Sequence, residues 1–138
     1  MVEVFLDSSY AIALASKSDL HHEKAVALAD RLEREGRRLI TTRAVILEIG
    51  NALAGHRYRK EAAKLLSSLE SDPSIEIVPL SEGLYVKGFS LFRDRPDKEW
   101  GLTDCIAFVL MKEKKSVEAL TADDHYRQAG FRALLLEA

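Results

Sequence analysis

The chain has 138 residues, 47% of them hydrophobic and 30% charged, with a formal net charge of −2. That suits one globular domain able to bury a core, and it excludes binding to nucleic acid through bulk positive charge. No apolar run reaches the roughly 18 residues that span a bilayer, no signal pattern opens the chain, and a lone cysteine excludes an internal disulfide, so a cytoplasmic protein with no membrane partner is expected.

In chain order, Val2–Leu6 suits a buried strand and Ser9–Ala15 an apolar helix. Glu23–Glu35 has a helical period with charges on its outer face, stopped by Gly36. A strand follows at Arg38–Thr41, then a helix over Arg43–Ala54 ending at Gly55, and another over Tyr58–Leu69, stopped before Pro73. Ile75–Val78 reads as a strand, Ser81–Phe92 and Thr103–Lys112 as helices, and Val117–Leu120 as a strand. Asp124–Ala129 closes as a short helix and Arg132–Leu136 as a last strand. The alternation predicts a single α/β domain over residues 1–138, with a parallel sheet of four to five strands and helices on both faces. In such sheets function gathers at the carboxyl ends of strands, near the point where strand order reverses.

Four acids stand out against that frame. Asp7 follows the apolar Val4-Phe5-Leu6, and Asp123 follows the fourth strand. Glu48 shares a helical face with Val45 and Ala52, where an unpartnered charge is costly. Asp104 opens a helix that is apolar all round. Each has a plainer explanation. Asp7, Asp104 and Asp123 (or Asp124) are good helix caps, and Glu48 could sit on a helix edge or in a buried ion pair. Brought together, they would repel unless a cation neutralised them. With no usable cysteine and no well-spaced histidine, the donors would be all oxygen, which favours Mg²⁺ or Mn²⁺ and points to metal-dependent phosphoryl chemistry.

The stretches FLDSSYAIAL, TTRAVILEIGNAL, KEWGLTDCIAFVLM and EALTADDHYRQAGF, in this order over almost the whole chain, resemble the PIN-domain nucleases, particularly the VapC-type toxins of toxin–antitoxin systems. The resemblance implies a magnesium-dependent endoribonuclease with a central parallel sheet. It implies Asp7, Glu48, Asp104 and Asp123 as the catalytic acids, with Asp7 and Asp104 as the most direct metal ligands. Ser9, Thr103 and Thr121 match hydroxyl positions that orient carboxylates or waters, and Asp97 is a further acid upstream. Gly101 stands where relatives often carry a small hydroxyl residue. A homodimer and a cognate antitoxin are implied partners. The leucine- and phenylalanine-bearing helices (Leu65, Leu66, Leu69; Leu84, Phe89, Leu91, Phe92) could supply those surfaces or belong to the core.

Single-stranded RNA would need positive charge beside the acids. Arg57, Arg59 and Lys60, with His56 and Tyr58, form one candidate; Arg93, Arg95 and Lys98 with Trp100 form another, for phosphate contact and base stacking. A haloacid-dehalogenase-like phosphatase would need a second Asp where Ser9 stands. A response-regulator receiver would need an acidic pair after the first strand and a phospho-accepting Asp where Pro79-Leu80 follow the third. The remaining alternatives are a PIN-like module that grips RNA or a partner without cutting, and a housekeeping RNA-processing nuclease.

Overall fold

Val4, Phe5 and Leu6 are all buried. Successive strand residues point to opposite faces, so a strand with no exposed position must be covered on both sides. The computed structural model describes residues 2–138 and builds this strand, β1 (Val4–Leu6), into the centre of a five-stranded sheet. The other strands are β2 (Leu39–Thr42), β3 (Ile75–Val78), β4 (Glu118–Leu120) and β5 (Arg132–Ala133). All neighbours are parallel, in the order β3-β2-β1-β4-β5, with Leu6 opposite Leu120.

The helices are α1 (Ser8–Ala15), α2 (His22–Arg34), α3 (Arg43–Ala52), α4 (His56–Ser71), α5 (Glu82–Asp94), α6 (Leu102–Glu113) and α7 (Asp124–Gln128). The chain moves outward from β1 to β3, then crosses back to β4 and β5. Right-handed crossovers therefore place α1–α4 on one face and α5–α7 on the other. Packing follows that division: α1 lies against α2, α3 and α4, while α5 lies against α6 and α6 against α7. Strand order reverses between β1 and β4, so the crevice above their carboxyl ends is the place to look for a site. No helix among the described residues is long and apolar enough to cross a membrane.

The observed elements match the expected ones to within about two residues at most ends, with one substantive correction. The fifth strand does not run from Arg132 to Leu136; it stops at Ala133 and a 3₁₀ turn takes Leu134–Leu136. Strand alternation would turn one of two successive leucines outward at this edge, whereas the turn buries both Leu134 and Leu135. Gly36 ends α2 as expected: its φ of +65° lets Arg37 N–H return to the Leu32 carbonyl at 3.0 Å.

The pairing of α5 with α6 depends on Gly88. A Cβ there would lie 2.4 Å from Ile106 Cγ1 and 3.1 Å from the Ile106 Cα. Because α6 carries Asp104, this close approach also sets where that acid stands. Gly88→Val is expected to destabilise the protein by about 1–3 kcal/mol through overpacking. Circular dichroism would read this as a lower thermal midpoint; an unchanged midpoint would mean the helices separate at no cost.

Candidate active site

The crevice at the strand reversal is lined with acids. Asp7 ends β1, its backbone N–H held by the Leu120 carbonyl at 3.2 Å, and it is only 4% exposed. It occupies the capping position of α1, yet its carboxylate makes no capping bond to the helix. Its oxygens go elsewhere. Oδ2 accepts from Thr121 Oγ1 (2.7 Å) and Ser9 Oγ (3.1 Å), and Oδ1 accepts from the buried Tyr126 hydroxyl (3.1 Å). Ser9 and Thr121 are themselves 3.2 Å apart and accept from the backbone N–H groups of Ala122 and Asp123. The β1 and β4 ends are thereby tied together through the groups that hold Asp7.

The other three acids arrive from different elements. Thr42 caps α3 by accepting from Val45 N–H at 3.1 Å, and six residues past that cap the half-buried Glu48 accepts from Ser8 Oγ through Oε1. Asp104 lies in the first turn of α6, where Oδ2 accepts from Gly101 N–H at 3.2 Å. That is one half of a capping box, since Gly101 has no side chain to supply the other. Asp123 caps α7 by accepting from His125 N–H at 2.9 Å through Oδ1. The capping explanations for Asp104 and Asp123 are thus structurally real, and that for Asp7 is not.

The acids sense one another. Burial raises the Asp7 carboxyl above its ordinary value, opposed by its hydrogen bonds, that from Thr121 foremost. Glu48 is raised by burial and by repulsion from Asp7 and Asp123, with Ser8 opposing. Asp104 is pushed up to about 6 by burial first, then by repulsion from Asp123 and Asp7. Every donor described above is a neutral hydroxyl or backbone N–H. Among the described residues, no Lys or Arg ion pair reaches any of the four; the arginines and lysines pair instead with acids such as Glu118, Glu70 and Asp97. Meanwhile Asp104 Oδ1, Asp123 Oδ2 and Glu48 Oε2 accept no hydrogen bond, and none is sealed from solvent. Clustered carboxylates with unclaimed oxygens and unneutralised charge fit a hard divalent cation.

Several residues stand differently from the sequence expectation. A nitrogen also stands beside the acids: His125 Nδ1 lies 3.2 Å from Asp104 Oδ2 and 3.3 Å from Asp123 Oδ1. Thr103 makes no side-chain hydrogen bond to the acids and lines a shallow groove of about 340 Å³ beside Glu48, Asn51 and Tyr85. Asp97 is exposed and bound by Arg95 at 2.9 Å, which holds its carboxyl down at about 2. Trp100 cannot offer its face to a base. It is 6% exposed, edge-on to Phe108, bonded through Nε1 to Gln128, and covered by Arg95 and Lys98. Arg57, Arg59 and Lys60 are exposed on α4. Leu69 and Leu84 belong to the core, whereas Phe89 and Phe92 are exposed. Ser8 and Tyr126 have no signal as site residues; only the hydroxyls' place beside the motifs could have suggested them. A larger cavity of about 590 Å³, between α1, α2 and α4, contains none of the four acids.

A model of the PIN domain matches residues 4–132. The chain belongs to the PIN-domain family. Two solved structures share the PIN fold. VapC20 of Mycobacterium tuberculosis, described as a toxin that cleaves the sarcin–ricin loop, is 19% identical, with a TM-score of 0.82 over 94% of this chain and 96% of that one. FitAcB from Neisseria gonorrhoeae is 21% identical, with a TM-score of 0.65 over 94% of each chain. A sequence search of curated proteins finds no match.

The raised acids have a consequence for stability. A carboxyl whose folded value exceeds its unfolded value stabilises the fold at low pH and loses that contribution as pH rises through the folded value. For Asp104 the contribution is full below about 3.8 and lost through about 6. In chelator, the protein is expected to melt at higher temperature at pH 5 than at pH 8. Asp104→Asn should stabilise it at pH 8 by about 1–2 kcal/mol, allowing for partial exposure, and should flatten that difference. Thermal unfolding across this range decides it; an unchanged pH dependence in the Asn variant would contradict the assignment.

Proposed function

We propose that this PIN domain, taken as residues 1–138, is a divalent-metal-dependent endoribonuclease acting on single-stranded RNA in the cytoplasm. We further propose that it is the toxin of a toxin–antitoxin pair. The observation that carries the reading is the convergence of Asp7, Glu48, Asp104 and Asp123 on one crevice, each steadied by hydroxyl or backbone N–H donors and, among the described residues, none paired with a lysine or arginine. Asp7 and Asp104 would hold Mg²⁺ or Mn²⁺ most directly, with Glu48 and Asp123 completing the pocket. When bound, the cation supplies Lewis-acid stabilisation of phosphate charge and activation of water.

The chain's own residues do the rest. Ser9, Thr121 and Tyr126 keep the Asp7 carboxylate in one orientation. Ser8 holds one oxygen of Glu48, leaving Oε2 to accept a proton from the attacking water. Water attacks phosphorus, the bond from phosphorus to the 3′ oxygen breaks, and that oxygen takes a proton. The products are a 5′-phosphate and a 3′-hydroxyl.

α4 must return the chain from the acid-lined edge to the start of β3, and its 16 residues rise about 24 Å. Its first turn, with Arg57, Arg59 and Lys60, therefore lies at the end nearer the acids, and we assign it phosphate contact. Lys98, stacked on Trp100, is a second candidate for that role. The toxin assignment draws on the likeness to VapC20, which is described as a toxin. Tyr85, Val86, Phe89 and Phe92, exposed along α5, would supply contact surface for a second copy or for an antitoxin.

Incubation of defined RNAs with Mg²⁺ or Mn²⁺ tests the activity. Wild type should cut, while Asp7→Asn and Asp104→Asn should lose at least about 100-fold; equal cutting by all three would betray a contaminant and end the catalytic assignment. Separately, neutralising Arg57, Arg59 and Lys60 should flatten the salt dependence of RNA binding, each lost phosphate contact reducing the slope by about 0.7. An unchanged slope would remove α4 from the RNA path.

A further inference from the structure

The metal-dependent reading leaves His125 without a role, although its ring is the one nitrogen donor among the acids. Its Nδ1 sits 3.2 Å from Asp104 Oδ2 and 3.3 Å from Asp123 Oδ1. One donor atom from each of the three residues lies within 4.8 Å of the others. An octahedral ion with bonds of about 2.1 Å holds neighbouring ligands about 3 Å apart and opposite ones about 4.2 Å apart. The Nδ1–oxygen spacings thus already approximate edges of such a coordination shell.

The carboxylates are fixed independently of that ring. Asp104 Oδ2 is held by Gly101 N–H and Asp123 Oδ1 by the His125 backbone N–H. Replacing the His125 side chain leaves both restraints in place. The ring is 29% exposed, so its other nitrogen can carry the proton while Nδ1 turns its lone pair inward.

Resting on the metallonuclease reading, we infer that His125 is a nitrogen ligand of the catalytic cation. The donor set is then mixed oxygen and nitrogen, which biases the site toward Mn²⁺ over Mg²⁺, because imidazole contributes more to the affinity of Mn²⁺ than to that of the harder Mg²⁺. In the metal-free protein the ring nitrogen lies within reach of both acids.

The test is metal binding, with no RNA present. Purified wild type is loaded with Mn²⁺ and studied by pulsed electron paramagnetic resonance, and Mn²⁺ and Mg²⁺ affinities are measured by titration for wild type, His125→Gln and His125→Asp. Wild type should show ¹⁴N coupling to Mn²⁺, and both variants should lose it. The ratio of Mn²⁺ to Mg²⁺ affinity should fall about tenfold or more in both variants. His125→Asp, which offers an anionic oxygen where His125→Gln offers only a neutral amide, should bind Mg²⁺ more tightly than His125→Gln does. Bound Mn²⁺ without nitrogen coupling in wild type, or coupling that persists in His125→Gln, overturns the assignment of His125 and leaves the metallonuclease reading intact. Wild type that binds neither ion overturns both. Should a variant fail to fold by circular dichroism, the wild-type spectrum alone still decides.

Discussion

Burial of neighbouring carboxylates is the constraint around which this site is arranged. Asp7, Glu48 and Asp104 are all raised above their ordinary values, burial acting first in each case and neighbouring acids adding to it for Glu48 and Asp104. A protein selected for stability alone would relieve this with an arginine, and the chain has many. It places them on Glu118, Glu70, Asp97 and Asp124 instead. Apart from the His125 ring beside Asp104 and Asp123, the acids receive hydroxyls and backbone amides, which fix an oxygen in space without cancelling its charge. Orientation and charge are thereby controlled separately: the hydrogen bonds set the first, and the second is left for a ligand.

The topology explains why four acids from distant parts of the sequence can meet. Parallel strands all end on one edge, and strand order reverses between β1 and β4, the place where such sheets open a crevice. Asp7 and Asp123 come from the two strands beside the crevice. Glu48 and Asp104 come from α3 and α6, which pack on each other although they serve opposite faces of the sheet. Gly88 matters here at a distance, because it lets α5 close onto α6 at Ile106, two residues past Asp104. Packing in the core and charge in the crevice are parts of one arrangement.

The sequence disclosed the acids because each contradicted its surroundings. Asp7 interrupts a buried strand, Glu48 interrupts an apolar helical face, and Asp104 opens a helix without a polar side. It did not disclose Tyr126 or Ser8, whose importance lies in contacts across 119 and 40 positions. A tyrosine beside charged residues reads as surface, yet Tyr126 is fully buried because its ring packs edge-on against Phe108. Trp100 misleads in the same way. Surrounded by Arg95, Asp97, Lys98 and Glu99 it resembles an exposed stacking platform, but only the ring's edge partner and Gln128 reveal that it faces inward. The bounds of the strands were legible to a residue or two; the fifth strand's early end was not, since three leucines fit a strand and a 3₁₀ turn equally well until the edge is seen.

Capping and ligation also prove compatible, which the sequence alone could pose only as rivals. A carboxylate has two oxygens with two lone pairs each. Asp123 gives Oδ1 to the start of α7 and Asp104 gives Oδ2 to Gly101, while their second oxygens stay unclaimed. Glu48 divides its oxygens likewise, giving Oε1 to Ser8. Asp7 is the exception: both its oxygens already accept hydrogen bonds, and it alone is nearly sealed from water. Its one spare direction lies at Oδ1, which has a single donor where Oδ2 has two. An ion at the crevice would therefore meet Asp7 through one oxygen in a set position and the other acids through more exposed ones. The most buried carboxylate fixes where the charge sits, and the more exposed ones adapt to what arrives.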